Sequence, residues 1–143
     1  MSGRSLLRLD DCSVTRFEFQ TEVTPKTLES HSRFPRVSWD LSKKPEEDTY
    51  LVHLKVLERT KEFRLTIELR GVFSFDEEVS EDTQLRMANM NGPSILYGIA
   101  RGLAGGITGL STTRRYLLPS VNIVEIAERQ ERRRKAQSQA SIS

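Results

Sequence analysis

The chain has a single cysteine, Cys12, in 143 residues, and its only histidines are His31 and His53. No internal disulfide can form, and no Cys/His set can enclose zinc, so no metal or other cofactor is expected. Residues 1–8 lack the apolar core of a secretory leader, and a soluble, cytoplasmic protein without membrane insertion is expected. A strong charge of one sign is missing too. Lys plus Arg number 22 against 20 Asp plus Glu, a net of +2, which argues against a surface built to coat nucleic acid. Apolar residues make up 36 %, too many for a disordered chain and few for a self-sufficient core, so help from a partner subunit is expected.

Catalytic groupings are also thin. Asp10 and Asp11, Glu46 with Glu47 and Asp48, and Asp76 with Glu77 and Glu78 sit at turns with no counterpart, as solvated loop ends do. His53 has no Ser, Cys or Asp partner in sequence. Cys12 lies beside Asp11, whose charge raises a thiol pKa, the opposite of what a nucleophile needs. No enzyme is expected.

What is present is unevenly placed. Residues 128–143 carry Arg129, Arg132, Arg133, Arg134 and Lys135 against Glu128 and Glu131, a net of +3, which leaves residues 1–127 at −1. The body is neutral and the tail basic. A single domain over residues 1–127 is expected, followed by a basic helix end and a flexible polar tail over 128–143. The basic run has no interleaved aromatic residues, so no specific nucleic-acid role is expected of it.

The first half alternates as strands do. Phe17, Phe19 and Val23 share one face of residues 14–23, and Val37, Trp39 and Leu41 repeat the pattern after a long polar connection. Val52, Leu54 and Val56 alternate in a third strand. Phe63, Leu65, Ile67, Leu69, Phe73 and Phe75 alternate in a fourth, with Gly71 in phase as a candidate bulge or bend. The connection between the third and fourth strands is short enough for an antiparallel hairpin.

The second half turns helical. Ser80 with Glu81 and Asp82 opens a helix that Asn91, Gly92 and Pro93 are expected to interrupt, with Pro93 starting a new one. Residues 94–111 carry a stripe of Leu96, Ile99, Ala100, Leu103, Ile107 and Leu110. Asn122 with Glu125 resembles a capping box ahead of a last helix. Strands followed by helices indicate an α+β fold: a four-stranded antiparallel sheet with helices packed on one face.

Five glycines interrupt the main helical stripe: Gly98, Gly102, Gly105, Gly106 and Gly109. No Lys-Ser/Thr follows them, so a phosphate loop is excluded. A membrane span would bury Arg101 at a cost of about 2.5–3.5 kcal/mol. The remaining reading is a smooth seam. Gly98, Gly102, Gly105 and Gly109 align along one side of the helix, and if the partner is a copy of the same helix they form an oligomer interface. A thioesterase-like enzyme on such a scaffold would want a carboxylate in this segment, and there is none. Phe34, Tyr116, Leu117 and Leu118 stand in connections, where large apolar side chains either pack down or line a binding groove.

Three runs in order carry a resemblance: Gly71, Val72, Phe73; then Pro93, Ser94, Ile95, Leu96, Tyr97; then Leu118, Pro119, Ser120, Val121, Asn122, Ile123. Over roughly residues 50–127 their order and spacing resemble the SecB family of export chaperones. The resemblance implies a homotetramer, a dimer of dimers formed through helices and edge strands. It also implies an ATP-independent holdase for unfolded polypeptides, preproteins for export among them. Its clients would lie along Phe34, Val37, Trp39, Tyr116, Leu117 and Leu118. Export members dock the SecA motor through acids on the sheet, whereas Arg16 and Thr66 stand at two of those places here, and the tail is polybasic. SecA docking is thereby left open, and the alternative is an adaptor dedicated to one partner, such as a toxin–antitoxin protein.

Overall fold

In a computed structural model that describes residues 7–21, 35–44, 48–59, 63–75, 79–110 and 117–142, with the side chains of the last helix through 137, the alternating segments form four strands. These are β1 (Leu7–Thr21), β2 (Arg36–Lys43), β3 (Thr49–Arg59) and β4 (Phe63–Phe75), followed by the helices α1 (Glu81–Thr108) and α2 (Ile123–Ile142). The strands make one antiparallel sheet in the order β1-β4-β3-β2. The expected α+β architecture is the one observed.

The alternation is cleanest in β3 and β4 because these are the central strands. Val52, Leu54, Val56, Leu65, Ile67, Leu69 and Phe73 are all fully buried on the face that α1 covers. The opposite face carries Arg16, Glu18, His53, Lys55, Glu68 and Arg70 in cross-strand rows. Arg16 reaches Glu18 at 2.9 Å and Glu68 at 3.7 Å, and His53 Nε2 lies 3.8 Å from Glu68. Pairs this exposed contribute little to stability.

β1 begins seven residues before the expected start, and its register shows why the pattern was hidden. Leu7 and Leu9 lie on the core side, then Cys12 and the half-exposed Val14, then Phe17 and Phe19, opposite Phe75, Phe73, Gly71, Leu69, Ile67 and Leu65. Irregularities between Leu9 and Asp11 and between Val14 and Arg16 switch the inward parity from odd to even and back. Gly71 is not the bulge. It pairs in step with Val52, and a Cβ there would lie 2.8 Å from Phe73 Cε2 and 2.9 Å from Leu96 Cδ2. Its missing side chain lets α1 approach the sheet closely.

Pro93 does not end the helix either. α1 runs unbroken through 28 residues, opened by Ser80, whose side chain accepts the N–H of Thr83. A helix-interior proline costs about 3 kcal/mol, since it has no N–H for the carbonyl four residues back. Here the burial of Leu96, Tyr97, Ala100 and Ala104 beyond it outweighs that cost, and Pro93 is itself fully buried. Gly92 faces the sheet, where a Cβ would meet Val52 at 3.1 Å. Packing overrode the local signal.

Asn122 caps α2 by accepting the N–H of Glu125 at 3.0 Å, as the sequence indicated. The helix then continues through the segment expected to fray, where Ala136, Gln137 and Ala140 are compatible with helix. No helix among the described residues is long and apolar enough to cross a membrane.

Candidate functional site

The side chains that ride on α1 at i, i+3, i+4, i+7 and i+8 from Asp82 are Leu85, Arg86, Asn89 and Met90, one face of the helix. That face meets the sheet at its edge strand, β2, through Asn89 and Trp39. It forms one wall of an open groove of about 730 Å³, with Trp39, Asp40 and Leu41 of β2 as a second wall and Glu128, Gln130, Glu131 and Arg134 of α2 as the third. The groove follows β2, an edge strand with no sheet neighbour on its outer side among the described residues.

Its base is ordered by one bond. The Trp39 indole N–H donates to Asn89 Oδ1 at 2.9 Å, which ties the ring on β2 to α1. Leu85 is half exposed at 52 %, a large apolar side chain on the wall. Around it stand four carboxylates, Asp40, Asp82, Glu128 and Glu131, against the guanidiniums of Arg86 and Arg134. An apolar strip with an acidic rim suits an extended segment that alternates apolar and basic side chains. A second apolar surface lies further along α1. Leu117 is 65 % exposed and rests over Gly105, where an added Cβ would come within 3.0 Å of its Cδ2. Leu118 beside it is sealed in the core. Its carbonyl accepts Arg101 Nε at 3.1 Å, while the Tyr97 hydroxyl donates to the Pro119 carbonyl at 2.6 Å, so this segment is pinned to α1.

Of the expected client-binding residues, the structure puts Trp39 at the edge of the groove, largely buried in the core at 9 % exposure, and Leu117 at the surface. Val37 is partly buried against the core, and Leu118 is an anchor of the fold with no face to offer. Phe34 and Tyr116 lie outside the described residues. Gly105 on α1 and Asn89 in the groove are 16 residues apart, about 24 Å at the helical rise, so Trp39 and Leu117 mark two separate stations along one helix. Leu85, Arg86, Asn89 and Met90 were missed because their face mixes charge, amide and aliphatic groups. Only the spacing marks it, and hydrophobicity does not.

The expected glycine seam is rearranged. Gly98, Gly102 and Gly106 look outward with nothing within 4 Å of an added Cβ, whereas Gly105 is turned to Leu117. Gly109 caps the helix, its N–H donating to the Gly105 carbonyl. The open strip runs beside Ile95 and toward Leu110, which is 86 % exposed.

Burial, helped by Asp11, pushes the Cys12 thiol up, which disfavours the thiolate. Burial also pushes the Tyr97 phenol from 10.0 up to about 12, against a weaker downward pull from Arg101. A tyrosine whose folded pKa is the higher one contributes stability that is complete below the unfolded pKa and is lost as pH rises. Stability is therefore expected to fall between pH 10.0 and about 12 as phenolate absorbance rises. In Tyr97→Phe that limb of the stability curve is expected to flatten.

Comparison with known proteins gives the following. No protein-family model matches the chain, and no curated protein matches. Among solved structures, the Rv1957 SecB-like chaperone of Mycobacterium tuberculosis, in complex with a ChAD peptide from the Rv1956 HigA1 antitoxin, is similar in structure with a TM-score of 0.60 at 14 % identity, covering 80 % of this chain and 90 % of that one. A protein of unknown function from Streptococcus agalactiae is similar at a TM-score of 0.53 and 13 % identity, over 80 % of this chain and 97 % of that one. The chain shares the SecB-like fold.

Proposed function

We propose that this protein is an ATP-independent chaperone that holds non-native, extended polypeptide segments and releases them unchanged. The observation that carries the reading is the groove of Trp39, Leu85 and Met90 along the open side of β2, on a fold shared with a chaperone solved with a bound peptide. Burying apolar client surface contributes about 25 cal/mol per Å², so one station binds weakly. An extended chain advances about 3.3 Å per residue, and about seven residues span the stretch of α1 from Asn89 to Gly105. A client engaged at both stations, on several copies, is held by multivalency and still lets go at each.

The same reading includes assembly in the cytoplasm as a tetramer, a dimer of dimers. Gly98 and Gly102 leave α1 smooth beside Ile95, as a close helix contact between copies requires. One specific observation favours a second reading, an adaptor for a single partner such as a toxin–antitoxin protein. On the sheet's outer face Arg16 lies beside Glu18 and Glu68 and offsets one of their two charges, which weakens an acidic dock for the SecA motor. Suppression of aggregation of a chemically unfolded protein at stoichiometric amounts tests the general reading. Failure by correctly folded protein contradicts it. A pull-down from a mixture of denatured proteins separates the two, since the adaptor retains one partner and ignores the rest.

A further inference from the structure

Beyond Ala127 helix α2 has no core to join, and residues 131–137 are all exposed. Helical phase nevertheless sorts its charges. Glu128, Gln130, Glu131 and Arg134 line the groove, on the side continuous with the buried Ile123 and Ala127. At about 100° per residue, Arg129, Arg132 and Arg133 fall together on the opposite side of the helix, at i, i+3 and i+4. Side chains so spaced are neighbours, with Cβ atoms about 5–6 Å apart. Arg129 shares its charge with Glu125 at 3.2 Å, while Arg132 and Arg133 make no ion pair among the described residues. The near-neutral balance of the chain thus conceals a face of three arginines against one acid, Glu125, with Glu128 and Glu131 on the groove side.

The company these arginines keep selects the partner. Glu125 and Ala136 complete the face, with no large apolar side chain among them. A membrane-surface helix needs an apolar face to insert, and a protein interface draws its affinity from aromatic and aliphatic anchors. A phosphate backbone needs neither, and guanidinium forks match its oxygens. We propose that Arg129, Arg132 and Arg133 on the outer face of α2 form a docking face for the phosphate backbone of single-stranded nucleic acid, without reading its sequence. Because this face is turned away from the groove, nucleic acid and client are held at the same time by opposite sides of one helix.

The test is fluorescence anisotropy of the full chain with a short labelled oligouridylate, titrated across salt concentrations. Three phosphate contacts predict a log–log salt slope of about −2, from about −0.7 per contact on a single strand. Combined Arg129→Gln, Arg132→Gln and Arg133→Gln, which keep helix propensity, are expected to weaken binding at least about tenfold with an unchanged far-ultraviolet helical signal. Arg134→Gln with Lys135→Gln, nearer the groove side, is expected to weaken it less than about threefold. Equal losses in the two variants, an unaffected triple variant, or attachment to phosphatidylserine vesicles without oligouridylate binding would each overturn the proposal.

Discussion

Phe73→Ala is expected to destabilise the subunit by about 3–5 kcal/mol, the range for deleting a fully buried aromatic ring. The ring stands where β4 meets both Leu9 of β1 and Tyr50 of β3 in the ladders. Its edge reaches the space left by Gly71 and Gly92, the two glycines that let α1 lie close to the sheet. Removing it opens a cavity that cannot be closed by helix movement without separating Leu96 from the sheet. Total stability of such domains is about 5–15 kcal/mol, so much of the margin goes with one side chain. Chemical denaturation followed by circular dichroism checks this. A loss below about 1 kcal/mol would mean that the glycine-lined contact is not the centre of the core.

Gly102→Leu is expected to have opposite effects at two levels. Within the subunit nothing lies within 4 Å of an added Cβ, and leucine replaces the poorest non-proline helix former. The isolated subunit is thus expected to gain up to about 0.8 kcal/mol. In an assembly packed through the Gly98–Gly102 strip, the new side chain stands where the partner backbone lies, and the native mass by light scattering is expected to fall to a smaller species. An unchanged mass with raised stability would remove this strip from the contact. The two readouts separate misfolding from failed assembly, because one rises while the other drops.

What could be read in advance follows from how each signal is made. The central strands β3 and β4 and the caps at Ser80 and Asn122 depend on local periodicity and single hydrogen bonds, and they stand where the pattern put them. The first half of β1 escaped because two register irregularities reverse its alternation, which only the partner strand reveals. The break expected at Pro93 failed for a similar reason. A local cost of about 3 kcal/mol is weighed against tertiary burial that no window of sequence displays. In the candidate site, Trp39 was named through the family resemblance, and it lines the groove. Leu85, Asn89 and Met90 were not, because a groove wall of mixed chemistry resembles a solvated helix face until α2 is folded over it. Leu118 shows the converse: apolar and in a connection, it packs down while its neighbour Leu117 stays at the surface.

The reading rests on the groove between β2, α1 and α2 as the place where polypeptide is held. Site-specific photo-crosslinking to a chemically unfolded client measures that directly, with the probe placed once at Leu85 on the groove wall and once at Arg70 on the outer face of the sheet. Strong crosslinks from position 85, competed by excess unlabelled client, and few from position 70 are predicted. Crosslinks from position 70 with none from 85 would place the client on the sheet and contradict the account.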